Sequence, residues 1–244
     1  MKHIPNIITS LNLASGFVAI VFILNGDPLT ACWILLAAMV FDFLDGFASR
    51  LLNAHSELGK ELDSLADLVS FGTAPGLIIY SQLADSVHSS GENSLPVMIN
   101  LSIIAVSALM PVCAGLRLAR FNIDSSQKTS FKGLPSPANA LAVISLVLAA
   151  RYGTSVMIND LISGPVSIII YSLALSLLMV TNIPLMSLKF TDYRISSNLP
   201  RYILIVLSIL LLILIGIGGI ILIIPAYIIV SVIFDLISQE QQKI

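Results

Sequence analysis

Residues 42–67 read DFLDGFASRLLNAHSELGKELDSLAD, and apolar runs lie on both sides of this segment. Asp42 and Asp45 are spaced i, i+3, and Asp63 and Asp67 are spaced i, i+4, so on helices each pair lies on one face. A carboxylate inside an apolar helix costs at least ~2.5–3.5 kcal/mol on insertion scales. Four carboxylates in two successive apolar segments therefore indicate a functional site.

Two such helices, joined by a short turn, would be antiparallel neighbours with both pairs at one depth. Clustered carboxylates repel each other unless a cation lies among them, and oxygen ligands without Cys or His select hard ions such as Mg²⁺ or Mn²⁺. Arg50 is placed to hold a phosphate, and Gly46 and Gly59 leave room for a nucleotide backbone. The segment predicts a cation-dependent diphosphate-binding site.

The whole chain has the composition of a membrane protein. Of its 244 residues, 57% are hydrophobic and 11% are charged, whereas soluble domains carry roughly 25% charged residues. A spanning helix needs about 20 apolar residues, and long continuous apolar runs favour helices over strands. The predicted fold class is an all-α integral membrane bundle of about eight transmembrane helices, at residues 6–25, 29–51, 61–84, 97–120, 137–152, 162–181, 200–216 and 218–237.

The basic residues predict the orientation of this bundle. Eleven of the twelve lie on one side of the predicted map, and Arg151 lies on the other. The positive-inside rule makes the crowded side cytoplasmic, with both termini there, which requires an even number of spans. The N-terminus lacks the features of a cleaved secretory signal, so we expect the first span to be retained. Because the basic residues are spread along a membrane face, we expect no nucleic-acid partner.

The segment 42–67 is similar to the signature of the CDP-alcohol phosphotransferase family, D-x2-D-G-x2-A-R-x8-9-G-x3-D-x3-D. Ser49 stands where the family has alanine, and every other fixed position matches. Residues 5–12 (PNIITSLN) resemble the family's amino-terminal element. The stretches SFGTAP (70–75), RLARFN (117–122) and GLPSP (133–137) resemble the phosphatidylserine synthase branch of the family.

This resemblance implies an activity and a set of site residues. The activity is transfer of the phosphatidyl group from CDP-diacylglycerol to the hydroxyl of L-serine, giving phosphatidylserine and CMP. Two divalent cations, Mg²⁺ or Mn²⁺, would bind Asp42, Asp45, Asp63 and Asp67. Asp67 would also be the general base. The CDP site would be lined by Gly46, Arg50 and Gly59, together with Thr9 and Asn12.

The resemblance also implies an organisation for the protein. Residues 1–181 would form a six-helix catalytic core within a single transmembrane domain, and residues 200–237 would add two C-terminal helices. The protein would be a homodimer in the bacterial inner (cytoplasmic) membrane, with its active site at the cytoplasmic face.

Free serine is a small zwitterion whose carboxylate requires a cationic partner such as a guanidinium group. Arg117 and Arg120 are candidates, because they are spaced i, i+3 at the cytoplasmic end of the fourth span, beside Asn122. Lys132 is a weaker candidate. The alternative is that these arginines anchor the helix by pairing with lipid phosphates.

Two other functions remain open from the sequence. A phosphorylated acceptor, such as glycerol-3-phosphate or inositol phosphate, would use the same chemistry. It would need clustered cations, which the loop with Arg117, Arg120, Lys128 and Lys132 could supply. A cation-coupled transporter would also place carboxylates within a bundle. Such carriers often show inverted repeats and sites near the midplane, and we find no internal repeat in this sequence.

Overall fold

The computed structural model describes residues 3–54, 56–88, 97–123, 131–154, 162, 164–186 and 195–241. Its helices are α1 (Ile4–Leu24), α2 (Pro28–Leu51), α3 (Glu57–Asp67), α4 (Ala74–His88), α5 (Val97–Ile123), α6 (Ser136–Tyr152), α7 (Pro165–Val180), α8 (Ile195–Ile215) and α9 (Ile223–Gln241). A π-helical turn, Leu68–Thr73, joins α3 to α4, and a 3₁₀ segment, Gly216–Leu222, joins α8 to α9. Two short strands, β1 (Phe131–Lys132) and β2 (Pro184–Leu185), pair antiparallel.

The protein is an all-α membrane protein apart from this two-stranded ribbon. In the described part of the chain, five helical stretches are long and apolar enough to cross a membrane: Ile4–Leu24, Pro28–Leu51, Glu57–Val87, Met98–Ile123 and Asn198–Ile237. Two further apolar helices, Ser136–Tyr152 and Pro165–Val180, are shorter. The helical bundle confirms the predicted fold class, whereas the number of eight spans and the cytoplasmic position of both termini stay predictions.

Local signals in the sequence set the ends of the first three helices. Gly26 has a positive φ of 78°, and Asp27 caps α2 by accepting a hydrogen bond from the Thr30 backbone N–H at 3.0 Å. Hydrogen bonds from Thr30 lower the pKa of the Asp27 carboxyl. Ser56 caps α3 in the same way, accepting from the Gly59 N–H at 3.0 Å. Helix α1 packs along α2 and also contacts α3 and the π turn.

The packed interior and the outer surface of the bundle are both apolar. Leu35, Phe71, Ile78 and Met110 are fully buried in the interior. Large apolar side chains also cover the outside, and Ile213 for example is 73% exposed. An apolar outer surface of this extent matches a protein whose surrounding solvent is lipid.

The chain reverses direction between α8 and α9, where the sequence predicts its last turn. Gly216 has a φ of +70°, a conformation that glycine adopts without steric cost. A Cβ atom on Gly219 would lie 2.5 Å from the Leu211 carbonyl oxygen, so the 3₁₀ segment packs back against α8. The stretch Asn198–Ile237 is therefore two helices around a turn.

The ribbon of β1 and β2 is a feature that the sequence did not predict. Beside it, Gly133 has a φ of +77° and donates its N–H to the Ile183 carbonyl at 2.9 Å. The next N–H, from Leu134, donates to the Leu178 carbonyl at 2.9 Å. These bonds hold the connection into α6 against the C-terminal end of α7.

We expect Gly133→Ala to destabilise the protein more than Gly26→Ala. Both glycines have positive φ, for which an alanine costs roughly 1–2 kcal/mol. A Cβ on Gly133 would also lie within 2.7–2.9 Å of three carbonyl oxygens, whereas a Cβ on Gly26 would meet no atom of the described residues within 4 Å. Overpacking adds about 1–3 kcal/mol, so the thermal unfolding midpoint in detergent should fall further for Gly133→Ala. Equal midpoints for the two variants would contradict the packing around Gly133.

Candidate active site

The structure brings the carboxylates of α2 and α3 together. One oxygen atom from each of Asp42, Asp63 and Asp67 lies within 4.8 Å of the other two. All three side chains are partly buried. Asp42 of α2 therefore lies beside Asp63 and Asp67 of α3, while the binding of cations by all four aspartates stays a prediction.

Asp45 belongs to the same cluster but turns toward α1. It is only 5% exposed, and its Oδ2 accepts a hydrogen bond of 2.6 Å from the Thr9 hydroxyl. It interacts electrostatically with Asp63 and Asp67. The four acidic side chains thus form one electrostatic unit, with Asp45 at its edge.

The cluster has the properties of a divalent cation site. The Oδ1 atom of Asp63 is buried and has no hydrogen-bond partner within the described residues. A buried oxygen without a donor is unfavourable unless a ligand satisfies it. Three carboxylate oxygens within mutual reach of one ion form the donor set that Mg²⁺ and Mn²⁺ prefer. The residues present therefore fit a hard divalent cation.

Helix α1 supplies hydrogen-bond donors to these carboxylates. Besides the Thr9 bond to Asp45, the side chain of Asn12 is fully buried and its Nδ2 donates to Asp67 Oδ1 at 3.4 Å. The sequence predicts that Thr9 and Asn12 face a nucleotide, and this stays a prediction. Their contact with the acidic cluster was missed, although their i, i+3 spacing on α1 was a signal that both lie on one face.

A cavity of about 530 Å³ opens beside the cluster, between α1, α2 and the start of α3. Asp45 and Asp63 lie on its wall together with two basic residues, Arg50 and Lys60. Of the other predicted CDP-binding residues, Thr9, Gly46 and Gly59 also line the cavity, whereas Asn12 is not among its lining residues. It offers both cation-binding oxygens and basic side chains to an anionic ligand, which is the arrangement that a diphosphate requires.

The two glycines of the cavity differ in their surroundings. A Cβ on Gly46 would meet only the Arg50 guanidinium, at 3.7 Å, so Gly46 leaves open space as the sequence predicts. A Cβ on Gly59 would lie 2.9 Å from Asn6 Oδ1 and 3.0 Å from the Ser56 hydroxyl. The space at Gly59 is thus occupied in part by the Asn6 side chain, which the sequence did not suggest.

Arg117 is the acceptor-site candidate that lies next to the acidic cluster. Its side chain is partly buried and interacts electrostatically with Asp67 and with Tyr227 of α9. One terminal nitrogen, NH1, donates to the Ser136 hydroxyl at 3.3 Å, and its buried Nε has no partner among the described residues. Ser136 and Tyr227 were not recognised from the sequence as neighbours of this arginine.

The other acceptor-site candidates lie elsewhere. Arg120 is exposed, and its NH1 donates to the Val180 carbonyl at 3.0 Å at the end of α7. The Asn122 side-chain Nδ2 donates to the Ser64 hydroxyl at 2.9 Å, and the Asn122 main-chain carbonyl accepts from Lys60 Nζ at 2.8 Å. The backbone of Lys132 pairs with Pro184, and its side chain lies outside the described residues. Of these candidates, Arg117 is the one for which the described residues show an electrostatic interaction with Asp67.

Comparison with known proteins assigns the family. The model of the CDP-alcohol phosphatidyltransferase family matches residues 2–233. The chain belongs to this family. The match also includes most of the C-terminal helical pair, while the division into a six-helix core and two additional helices stays a prediction.

Curated relatives share much of the chain. The CDP-diacylglycerol–serine O-phosphatidyltransferase of Bacillus subtilis (strain 168) is 34% identical over 194 residues, which are 80% of this chain and 93% of that protein. The protein of the same name from Helicobacter pylori (strain J99) is 38% identical over 146 residues, 59% of this chain and 56% of that protein. An archaetidylserine synthase from Methanothermobacter thermautotrophicus is 34% identical over 152 residues, 61% of this chain and 59% of that protein. The chain thus spans little more than half the length of several relatives that it matches.

We expect Asp63→Asn to weaken divalent cation binding and, without cation, to stabilise the protein. Replacing a ligand should reduce Mn²⁺ affinity by at least roughly tenfold. Even the loss of a residue that only hydrogen-bonds to a metal ligand lowers metal affinity roughly 10–100-fold. Removing one of several clustered negative charges relieves repulsion, so the unfolding midpoint in EDTA should rise. Isothermal titration with Mn²⁺ and thermal unfolding measure the two effects.

Asp85→Asn is the matched control for this substitution, because Asp85 is exposed on α4 and lies outside the cluster. It should change neither quantity. Wild-type Mn²⁺ affinity in Asp63→Asn would contradict a cation site at this cluster.

Proposed function

We propose that this protein transfers the phosphatidyl group of CDP-diacylglycerol to the hydroxyl of L-serine, producing phosphatidylserine and CMP. The observation that carries the proposal is the carboxylate cluster of Asp42, Asp63 and Asp67 at the edge of a cavity that also holds Arg50 and Lys60. Membership of the family and the names of the relatives support the donor substrate and serine as acceptor.

The cavity would bind the CDP moiety while the acyl chains remain in lipid. Arg50 and Lys60 would contact the diphosphate oxygens, because guanidinium and ammonium groups form short charge-assisted bonds to phosphate. Two divalent cations held by the four aspartates would neutralise the diphosphate and stabilise CMP as it leaves. Gly46 would let the nucleotide approach the backbone of α2, since among the described residues a Cβ at Gly46 would meet only the Arg50 side chain within 4 Å.

Asp67 would act as the general base. The serine hydroxyl oxygen forms a new bond to the phosphorus of the phosphatidyl group, the bond from that phosphorus to the CMP oxygen breaks, and the hydroxyl proton moves to the Asp67 carboxylate. An alcohol is a weak nucleophile at neutral pH, and a positioned base contributes roughly 10²–10⁴-fold. Asn12 supports this role by fixing one Asp67 oxygen with its hydrogen bond.

Arg117 would bind the serine carboxylate. It is partly buried beside Asp67, and its Nε lacks a partner within the described residues, so donors remain for a ligand. A carboxylate bound there would place the serine hydroxyl, two bonds from its α-carbon, near Asp67. Arg120 instead donates to the Val180 carbonyl, so Arg117 is the candidate cation that interacts with Asp67. A single cation favours an acceptor with one carboxylate over an acceptor with a phosphate group.

The location of this reaction follows from the distribution of charge. The positive-inside rule would put the cluster at the cytoplasmic face of the membrane, where a water-soluble acceptor would be available. The relatives from bacteria support the cytoplasmic (inner) membrane of a bacterial cell. A homodimer remains what the family resemblance implies.

The experiment that tests the proposal is CMP release by the purified full-length protein in detergent, with CDP-diacylglycerol and Mn²⁺ or Mg²⁺. We expect release that requires both the cation and L-serine, because the cation neutralises the leaving group and Asp67 needs a hydroxyl to deprotonate. Glycerol-3-phosphate and inositol phosphate, tested in parallel, should give little CMP.

Asp67→Asn serves as the negative control in that assay, because an amide cannot accept the proton. Release with another acceptor would retain the family chemistry and overturn serine as the substrate. No release with any acceptor from folded protein would overturn the proposed transferase and favour a cation-coupled carrier.

We expect Arg117→Met to impair the use of serine and Arg120→Met to leave it unchanged. Loss of the guanidinium group should lower kcat/KM for serine by at least about tenfold, which corresponds to 1.4 kcal/mol, mainly through a higher KM. The KM for CDP-diacylglycerol should stay the same. If both substitutions instead raise the KM for CDP-diacylglycerol, the arginines anchor lipid phosphates and do not bind the acceptor.

A further inference from the structure

The π turn Leu68–Thr73 follows Asp67 directly, and the functions proposed above do not use it. Its backbone bonds reach one residue further than in an α-helix, as when the Ala74 N–H donates to the Val69 carbonyl. Single π turns inside α-helices occur frequently at functional sites. Residues 70–73 of the turn (SFGT) belong to the stretch SFGTAP, which resembles the phosphatidylserine synthase branch. That resemblance does not indicate a role for these residues.

The sequence explains why this turn departs from α-helical geometry. Pro75 lies four residues after Phe71 and has no backbone N–H, so it cannot give the Phe71 carbonyl its usual helical donor. The Phe71 residue is fully buried, where a carbonyl without a donor is unfavourable. A donor reaches this carbonyl from another helix as well: Asn139 Nδ2 of α6 lies 3.3 Å from the Phe71 carbonyl oxygen.

On its other side the turn is fixed to α1. The fully buried Ser70 donates its hydroxyl to the Asn12 carbonyl at 3.0 Å. A Cβ on Gly16, one turn further along α1, would lie 3.0 Å from the Ser70 Cα atom, so the two backbones are in close contact. The π turn therefore lies between α1 and α6 with little freedom to move.

These contacts lead back to the proposed base. Asn12 accepts from Ser70 through its main chain and donates to Asp67 through its side chain. A closed ring results. It consists of the chain segment from Asp67 to Ser70, the hydrogen bond from Ser70 to Asn12, and the hydrogen bond from Asn12 back to Asp67. A shift of the turn would move both Asp67 and the amide that orients it.

We propose that Asn139 and Ser70 are positioning residues, which hold the π turn between α6 and α1 and thereby fix Asp67 in the carboxylate cluster. Neither side chain is placed to touch substrate. The inference rests on the proposed function for the role of Asp67, but the placement of its carboxylate affects cation binding as well as turnover.

The test uses Asn139→Leu and Ser70→Ala in the full-length protein, with Ser145→Ala as the control. Leucine is close to asparagine in size and lacks the donor. Ser145 is a buried serine on the same helix α6. Its hydroxyl donates to the Ala142 carbonyl at 2.6 Å and interacts with Tyr171 of α7, and neither partner belongs to the π turn. Kinetics of CMP release, Mn²⁺ titration of the protein without substrates, and thermal unfolding are measured for all variants.

We expect Asn139→Leu and Ser70→Ala to lower kcat and Mn²⁺ affinity roughly 10–100-fold, the range found when residues that orient metal ligands are replaced. The KM for CDP-diacylglycerol should not change, and Ser145→Ala should match the wild type in kcat and Mn²⁺ affinity. A lower unfolding midpoint with wild-type kcat and Mn²⁺ affinity would overturn the inference, since the contacts would then only stabilise the fold.

Two outcomes separate this inference from the proposed function. If the wild type releases no CMP with any acceptor, the proposed function fails, and the Mn²⁺ titrations alone decide whether the turn positions Asp67. If Asn139→Leu does not fold, Ser70→Ala decides the question from the opposite side of the turn, because it removes a hydroxyl without creating a clash.

Discussion

The mutual repulsion of four carboxylates, held in apolar surroundings between α2 and α3, is the constraint on which the rest of the structure depends. Three of them present oxygens within 4.8 Å of one another, and the fourth, Asp45, is almost completely buried. Ionised groups in such surroundings are tolerated only when hydrogen bonds and opposite charges compensate for lost water. The protein supplies hydroxyl and amide donors from α1 and a guanidinium from α5, and a divalent cation would supply the remaining positive charge.

Helix α1 shows how this constraint shapes a whole element. Its buried face consists of Pro5, Thr9, Asn12, Gly16, Ala19 and Ile23, which recur at helical spacing. Thr9 and Asn12 of this face bond to the carboxylates, and Ala19 and Ile23 belong to the apolar core. Gly16 lies at the boundary, where the π turn after Asp67 comes closest to α1. The helix is thus both a membrane span and a wall of the site.

The sequence predicts the parts of this arrangement that depend on local spacing. The pairs at i, i+3 and i, i+4, the short turn between α2 and α3, and the apolar runs together are enough to bring Asp42, Asp63 and Asp67 to one place. The ribbon beside Gly133 joins segments about fifty residues apart, and no local pattern indicates such pairing. The π turn was not predicted either: Pro75 is a local signal for it, but the bond from Asn139 to this turn joins two distant parts of the chain. Sequence spacing likewise could not show which of Arg117 and Arg120 interacts with the carboxylates, because the two arginines differ only in their surroundings in the folded protein.

Under the proposed function, the two substrates would reach the cluster from different sides. The cavity with Arg50 and Lys60 is lined by Asp45 and Asp63, whereas Asp67 is not part of its wall and interacts with Arg117. Displacement at phosphorus requires the attacking and leaving oxygens to lie roughly in line. A nucleotide leaving through the cavity and a hydroxyl entering past Arg117 would satisfy this requirement. The different surroundings of Asp45, Asp63 and Asp67 would then have a chemical reason: Asp45 and Asp63 would face the leaving group, and Asp67 would face the acceptor.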